Sequence, residues 1–138
     1  MRWSGRRSLA TACAGAALQL VVGQLAWMRT GTADRNSYEL FRSAQRLGLD
    51  ELTPFRVVWY LLPAATLAFG LCLASQQRRL AGLVIAVQSV VVVAAGIAVW
   101  VVGLGVGIGP KLAIPSGLVG LAGGILLALR QDPAQGLA

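Results

Sequence analysis

One uninterrupted apolar run, residues 80–109, constrains this chain more than any other feature. No charged residue lies within it, and its strongly polar side chains are those of Gln88, Ser89 and Trp100. A helix needs about 20 apolar residues to cross the hydrocarbon core of a bilayer. A helix on the surface of a soluble protein would need a polar face, and this run has none. Residues 80–103 are therefore predicted to span a membrane.

The hydropathy of the whole chain predicts an all-α integral membrane protein, a four-helix bundle. The chain has 138 residues, 57% of them hydrophobic, which suits one compact unit, so we treat 1–138 as a single transmembrane domain. The net charge of +7 does not indicate nucleic-acid binding, because the basic residues stand at the ends of apolar runs, where they can meet lipid headgroups. The predicted spans are residues 8–28, 54–74, 80–103 and 114–129, with an extracytoplasmic loop at 29–53.

The first apolar stretch admits interpretations other than a span. A signal peptide could be cleaved at a small-residue site near Cys13, but the segment left behind would still be apolar as far as Trp27. The pair Arg6-Arg7 matches a twin-arginine signal poorly. Too few apolar residues precede Cys13 for a lipoprotein site. We therefore interpret residues 8–28 as an uncleaved first span.

A short amphipathic helix is predicted inside the polar loop, at residues 37–47. Asn36 can cap its first turn with Glu39 as the reciprocal partner, and Gly48 suits its end. Such a helix would lie along the membrane surface, with its apolar residues in the headgroup region, or it would cover the mouth of the bundle. The sequence leaves both open. The apolar residues that share one face of this helix are Leu40, Phe41, Ala44 and Leu47.

Proline and glycine mark the breaks between the predicted spans. Thr53 and Pro54 suit the start of the second span, and Pro63 is expected to kink it. Residues 75–79 form a tight polar turn, which makes the second and third spans antiparallel neighbours. The glycine-rich segment 103–111 is not a phosphate-binding loop, because no strand precedes it and its lysine is misplaced. We interpret it as a frayed helix end and a flexible turn.

The predicted orientation depends on where the basic residues stand, because their numbers on the two sides are equal. Four spans put both termini on one side. The cluster of Arg2, Arg6 and Arg7 ahead of the first span contains no acidic residue. We therefore predict a multi-pass plasma-membrane protein with cytoplasmic N- and C-termini. The loop, by contrast, mixes its arginines with acidic residues, which are Asp34, Glu39, Asp50 and Glu51.

The residue types present narrow the possible chemistry. The chain has no histidine, which removes the commonest general base and the commonest metal ligand. Cys13 and Cys72 are too far apart in sequence for CxxC chemistry, and in a reducing cytoplasm we expect two inert, buried thiols. Apart from Arg56 at the outer edge of the second span, no charged residue lies inside a predicted span, which disfavours proton-coupled transport. We predict no catalytic residue, metal site or cofactor, and we do not expect an enzyme.

Three polar residues, Gln19, Thr66 and Gln88, are predicted to lie near the middle of the membrane. They are candidates for binding a lipid headgroup or a small solute. The alternative, which we favour, is that they form interhelical hydrogen bonds, worth about 0.6 kcal/mol each on average. In that case Gln19 and Gln88 point into the bundle, towards each other or towards Thr66.

The fourth predicted span carries the sharpest pattern in the chain. Small residues let helix backbones approach closely, which matters in lipid because the hydrophobic effect does not drive helices together there. We predict that the small face forms the tightest helix contact in the molecule, with another span of the same chain or with a second subunit. At 100° per residue, the small residues within an arc of about 120° are Ser116, Gly117, Gly120, Gly123 and Gly124.

The hydropathy of the full chain and several loop residues carry a family resemblance, in the segments Ser37-Tyr38-Glu39-Leu40, Ala44 and Leu47-Gly48-Leu49. In these features the chain is similar to small, uncharacterised four-span membrane proteins of high-GC actinobacteria. The resemblance implies a cell-envelope setting and assigns no site residue.

These observations lead to two expectations about function. The first is a non-catalytic plasma-membrane protein, an accessory or assembly subunit of a larger cell-envelope complex. The alternative is a component that binds or transports a lipid or small solute through the mid-membrane polar residues. The expected partners are membrane lipids and other membrane subunits or a second copy, and not nucleic acid.

Overall fold

A computed structural model describes residues 3–30, 32–48, 53–102 and 107–129. Most of this part of the chain is helical. The elements in chain order are α1 (Trp3–Gln24), β1 (Ala26–Thr30), β2 (Ala33–Asn36), α2 (Ser37–Arg46), α3 (Thr53–Tyr60), α4 (Leu62–Ala74), α5 (Arg78–Val102) and α6 (Ile108–Ala128). The stretches long and apolar enough to cross a membrane are Thr53–Ala74, Arg78–Val101 and Ile108–Ala128.

The first predicted span differs from the prediction. Helix α1 has 22 residues but is not among the three apolar stretches, because Arg6 and Arg7 open it and Gln19 and Gln24 lower its mean hydropathy. It also ends at Gln24, so the prediction that this helix continues to residue 28 is wrong. Length and composition thus give three spans where the sequence pattern predicted four.

Helix α6 is the central helix of the bundle. It lies between α1 and α5, and α4 packs mainly on α5. Helices α1 and α6 are antiparallel, since Gly123 near the end of α6 meets Ala12, whereas Gly109 near its start meets Trp27 just beyond α1. The hairpin and α2 therefore lie at one end of the bundle, the hairpin side. The short connection between α4 and α5 lies at the other end, the turn side.

The core consists of two apolar clusters with polar residues between them. Along α1, Gln19 separates the two clusters, and along α5 Gln88 and Ser89 separate them. We call this level of the bundle the polar layer. The turn-side cluster contains Ala12, Ala16, Phe69, Ala81, Ile85 and Leu127. The hairpin-side cluster contains Val22, Trp27, Trp59, Val92 and Ala113.

The second span is interrupted near Pro63, where the sequence predicted a kink. Helix α3 ends at Tyr60 and α4 begins at Leu62, with Pro63 in its first turn. Proline has no N–H to donate to the preceding turn. The N–H of Leu61 lies 3.1 Å from the carbonyl oxygen of Val57 and 3.2 Å from that of Val58, so the helix changes its hydrogen-bond pattern at this point.

The segment after α1 forms a β-hairpin, which corrects the all-α prediction. Strands β1 and β2 pair antiparallel, with an irregularity between Ala26 and Met28, and Arg29 pairs with Asp34 at 3.0 Å near the turn. Strand β1 also makes a backbone hydrogen bond outside the hairpin, in which the N–H of Gly107 donates to the carbonyl of Trp27 (3.2 Å). Residues 26–28 continue the apolar stretch of α1, which explains why the sequence prediction extended the helix through them and missed the strand.

The predicted loop helix is present as α2, and its capping is confirmed. The N–H of Glu39 donates to the Asn36 side chain (2.9 Å), and the Glu39 carboxylate accepts from the N–H of Asn36 (3.2 Å). Gly48 follows with φ of 73°, a left-handed conformation that suits glycine. Phe41 packs against the ring of Trp59, with centroids 6.2 Å apart, so α2 covers the mouth of the bundle.

Helix α6 begins earlier than predicted. It starts at Ile108, so residues 108–111 are helical and the predicted flexible turn is wrong there. Residues 103–106 of that turn lie outside the described residues, as does the polar tail after Leu129. Pro110 lies in the first turn of the helix, where a missing N–H costs nothing, so the helix can begin before this proline.

Candidate functional site

Gln19 and Ser89 form one half of the polar layer. Both side chains are buried, and the Gln19 Nε2 donates to the Ser89 hydroxyl oxygen at 2.8 Å. The Ser89 hydroxyl in turn donates to the carbonyl of Ile85 at 2.6 Å. A Cβ at Gly120 would overlap both the Gln19 amide nitrogen and the Ser89 hydroxyl. Glycine at this position of α6 is thus what allows α1 and α5 to bond directly to each other.

Thr66 and Gln88 form the other half of the polar layer. The Gln88 Nε2 donates to the Thr66 hydroxyl oxygen at 2.9 Å, which joins α5 to α4. The Thr66 hydroxyl lies 3.1 Å from the carbonyl of Leu62, to which it can donate. Gln88 is buried and Thr66 is half-buried. The contact is therefore a helix-to-helix bond with its donors and acceptors largely used.

The predicted three-residue cluster is divided between two helix contacts. Gln88 points towards Thr66, as predicted, but Gln19 bonds to Ser89 and not to either of them. Residues 88 and 89 are neighbours on a helix and therefore point about 100° apart. Gln88 faces α4, whereas Ser89 faces α1 and α6. Ser89 is the residue that the sequence interpretation left out of the site, although its polarity within an apolar run was a usable signal.

One polar atom of the layer has no partner. Among the described residues, the buried side-chain atom without a hydrogen bond is Oε1 of Gln19, and the residue is only 5% exposed. If the amide oxygen and nitrogen of Gln19 were exchanged, the nitrogen would be the atom without a partner, because Ser89 contacts only one of the two atoms. An unpaired acceptor away from water is unfavourable. Gln19 Oε1 is therefore the point of the layer that can accept a further hydrogen bond.

Replacing the two buried amides tests whether the layer only holds helices together. Gln88→Leu removes one neutral interhelical bond and is expected to lower stability in detergent by about 0.6 kcal/mol. Gln19→Leu removes a similar bond but also the unpaired oxygen, so its effect is expected to be smaller. Thermal unfolding of both variants measures this. Loss of more than about 2 kcal/mol in either variant would contradict a simple bonding role.

The small face of α6 is buried along its whole length. All five residues of that face are buried, namely Ser116, Gly117, Gly120, Gly123 and Gly124. On the α1 side, a Cβ at Gly123 would lie 2.5 Å from the backbone nitrogen of Ala12. At the next level, a Cβ at Gly15 would lie 2.6 Å from the backbone nitrogen of Gly120. The two backbones are therefore in direct contact.

The same face of α6 also contacts α5. A Cβ at Gly124 would lie 2.8 Å from the carbonyl oxygen of Gly82, and a Cβ at Gly82 would lie 2.5 Å from the backbone nitrogen of Ala128. The partners of the small face are thus two helices of the same chain. Gly15 and Gly82 were not singled out from the sequence. The four-residue spacing Gly82–Ala86 was the signal that could have identified Gly82, and Gly15 directly precedes Ala16 of the similar pair Ala12–Ala16.

Aromatic residues and one serine close the hairpin side of the bundle. The Ser37 hydroxyl donates to the carbonyl of Gly23 at 2.6 Å and accepts from the indole N–H of Trp59 at 2.9 Å. The Trp27 indole donates to the carbonyl of Val22 at 2.7 Å, and its ring meets that of Trp59 edge-on at 4.8 Å. These contacts tie the end of α1 to α2 and α3. We call this group the aromatic cap.

The cysteines do not match the prediction fully. Both are free, but Cys13 is exposed on α1 and Cys72 is only half-buried, so the prediction of two buried thiols is wrong. Cys13 is exposed because α6 and α5 contact the opposite face of α1. Within the described ranges, no group of three or more Cys, Asp and Glu residues could hold a metal ion.

Comparison with known proteins adds no family to this picture: no protein-family model, curated protein or solved structure matches the chain.

Proposed function

We propose that this chain is a non-catalytic, multi-pass plasma-membrane protein, an accessory or assembly subunit that packs against a larger membrane complex of the cell envelope. The observation that carries the proposal is the uncovered second span. Of the most apolar part of Thr53–Ala74, 11% is buried, against 33% for Arg78–Val101 and 39% for Ile108–Ala128.

The outward face of α4 suits a second helix. Leu67 and Leu71 are each 71% exposed, and Gly70 between them has open space around it. Glycine lets another helix backbone come close, and close packing is what holds helices together in lipid. Inside the bundle, Thr66 and Gln88 are already bonded to each other. The inward face thus supports the fold, and the outward face is free to meet a partner.

Four spans remain our proposal for the membrane topology. Helix α1 follows α6 with backbone contacts at two levels, near Ala12 and near Gly15. A helix of 22 residues is about 33 Å long, enough to cross the hydrocarbon core. Because α6 is itself long and apolar enough to span, α1 beside it would lie at the same depth. Its polar residue Gln19 is buried within the bundle, which makes its modest hydropathy tolerable.

The proposed orientation, with cytoplasmic termini, predicts which side chains reagents can reach. In a background without Cys13 and Cys72, Ala33→Cys should react with an impermeant maleimide on intact cells and Gln77→Cys should react only after permeabilisation. Both positions are exposed, on the hairpin side and the turn side respectively. Ser37 would be a poor choice because it is 1% exposed. Labelling of Gln77→Cys alone on intact cells would reverse the orientation.

The proposed role is tested by purification in mild detergent. A partner of fixed stoichiometry should co-purify with the wild type and be lost from Leu67→Trp/Leu71→Trp. The matched control is Leu83→Trp/Leu118→Trp, which places the same bulk on exposed positions of α5 and α6 and should keep the partner. Equal retention by both variants, or no stoichiometric partner at all, would refute the accessory role.

A second candidate function is favoured by the unpaired Gln19 Oε1. A component that binds a lipid or small solute needs a polar atom that the protein leaves unsatisfied, and this acceptor is one. Mass spectrometry of the purified protein would then detect a retained molecule that disappears in Gln19→Leu and persists in Thr66→Val. Identical spectra for the three proteins would exclude this use of the polar layer.

A further inference from the structure

Two arginines stand one helical turn apart on the exposed edge of α2. Arg42 and Arg46 are separated by four residues, so their side chains leave the same face of the helix, about 6 Å apart along its axis. Both side chains are exposed, and neither guanidinium group is bonded to another side chain in the described part of the chain. Like charges at this spacing repel each other. An anion placed between the two guanidinium groups would remove that repulsion.

Two contacts determine the depth of this edge relative to the second span. At the start of α2, the Ser37 hydroxyl meets the indole N–H of Trp59. At its end, the Gln45 side-chain oxygen accepts from the guanidinium of Arg56, which lies in the first turn of α3. Helix α2 therefore rises from the level of Trp59 to the level at which the span begins. With Thr53–Ala74 as a span, this level is the end of the span, where Arg46 would meet the boundary between lipid and water.

The apolar side chains at this boundary are those expected of a membrane interface. Leu47, next to Arg46, is 76% exposed, and Phe55, next to Arg56, is 66% exposed. Exposed aromatic and aliphatic side chains at this depth lie among lipid headgroups and the first carbons of the acyl chains. Arginine suits phosphate because its planar fork can donate two parallel hydrogen bonds. The edge thus combines an anion-binding pair with an apolar surface beside it.

We propose that Arg42 and Arg46 bind the headgroup of an anionic phospholipid at the hairpin-side membrane surface, with Leu47 against its acyl chain. A net negative headgroup is preferred to a zwitterionic one, since each arginine near an anionic surface contributes about fivefold to partitioning. This site lies on the outer edge of α2, away from the polar layer and from the outward face of α4. It therefore does not depend on the proposed function.

The test identifies, by photocrosslinking, which lipid lies beside position 47. The full-length protein, with p-benzoylphenylalanine in place of Leu47, is reconstituted into nanodiscs of equal phosphatidylglycerol and phosphatidylcholine and irradiated. Mass spectrometry of the adducts is expected to show several-fold more phosphatidylglycerol than phosphatidylcholine. Arg42→Gln/Arg46→Gln should lower this several-fold ratio to about one. Arg42→Lys/Arg46→Lys keeps the charge and should retain most of the preference.

A matched control separates a site from a general charge effect. Arg78→Gln/Arg79→Gln makes the same change in charge on the turn side and should leave the ratio unchanged. An equal fall in both double variants would overturn the proposal. So would a wild-type ratio of one, or adducts formed with protein in place of lipid. Raising the salt concentration should lower the wild-type ratio by screening, which provides a readout even if a variant fails to fold.

The acidic residues Asp50 and Glu51, which follow in the sequence, allow a further test. They follow α2 in sequence and lie outside the described residues. If they occupied the two arginines, the wild type would show no preference and Asp50→Asn/Glu51→Gln would create one. That outcome would overturn lipid binding by the native chain. The proposal expects a preference in the wild type that Asp50→Asn/Glu51→Gln changes little.

Discussion

Gly120→Ile is expected to prevent the bundle from assembling in its native form. A single Cβ at this position would already overlap the Gln19 amide and the Ser89 hydroxyl, and Gly15 approaches from α1 at the same level. An isoleucine would push α6 away from α1 and α5 together. Overpacking a close contact typically costs about 1–3 kcal/mol. Here we expect about 3 kcal/mol, because the isoleucine must displace the Gln19 amide and the Ser89 hydroxyl together and break the hydrogen bond between them. Gly124→Ile, against Gly82, should behave similarly.

The chain offers a matched control for this prediction. Gly70 in α4 is exposed and has nothing within 4 Å of an added Cβ, so Gly70→Ile makes the same chemical change without a clash. Leu118→Ile, on the exposed side of α6, should also have little effect. Thermal unfolding in detergent compares the variants. Similar stability of Gly120→Ile and Gly70→Ile would show that the small face is not the close contact described above.

Trp27→Ala is expected to open the hairpin side of the bundle. The indole is 3% exposed, donates to the carbonyl of Val22 and fills the space above Gly109, where a Cβ would lie 2.6 Å from its Nε1. Replacing a buried tryptophan by alanine typically costs about 3–5 kcal/mol. The loss should fall on the contacts between the end of α1 and the start of α6. Limited proteolysis should then cleave the hairpin and α2 before the rest of the chain.

Trp100→Ala provides the comparison for this second prediction. Trp100 is 63% exposed on α5, so its removal leaves no internal cavity. We expect its melting temperature in detergent to stay close to that of the wild type, while Trp27→Ala melts clearly lower. If the two variants lost equal stability, the aromatic cap would contribute no more than surface burial in detergent does.

Several features were determined by the sequence alone, because their causes lie within a few residues of each other. The apolar runs identified the three stretches that can cross a membrane. The reciprocal bonds of Asn36 and Glu39 join residues three apart, so α2 could be placed at its first residue. The small face of α6 follows from helical spacing alone, and the break before Pro63 follows from the missing N–H.

Only the tertiary structure decided the rest, because it depends on partners far away along the chain. The hairpin replaces the predicted end of the first span, and the Trp27 carbonyl within it accepts from the N–H of Gly107, far along the chain. The Gln19 side chain bonds to Ser89, 70 residues away, and not to Gln88, the neighbour of Ser89 on α5. The choice depends on which neighbour each side of α5 meets. Helical periodicity shows which residues share a face, whereas the packing of α6 between α1 and α5 determines what each face touches.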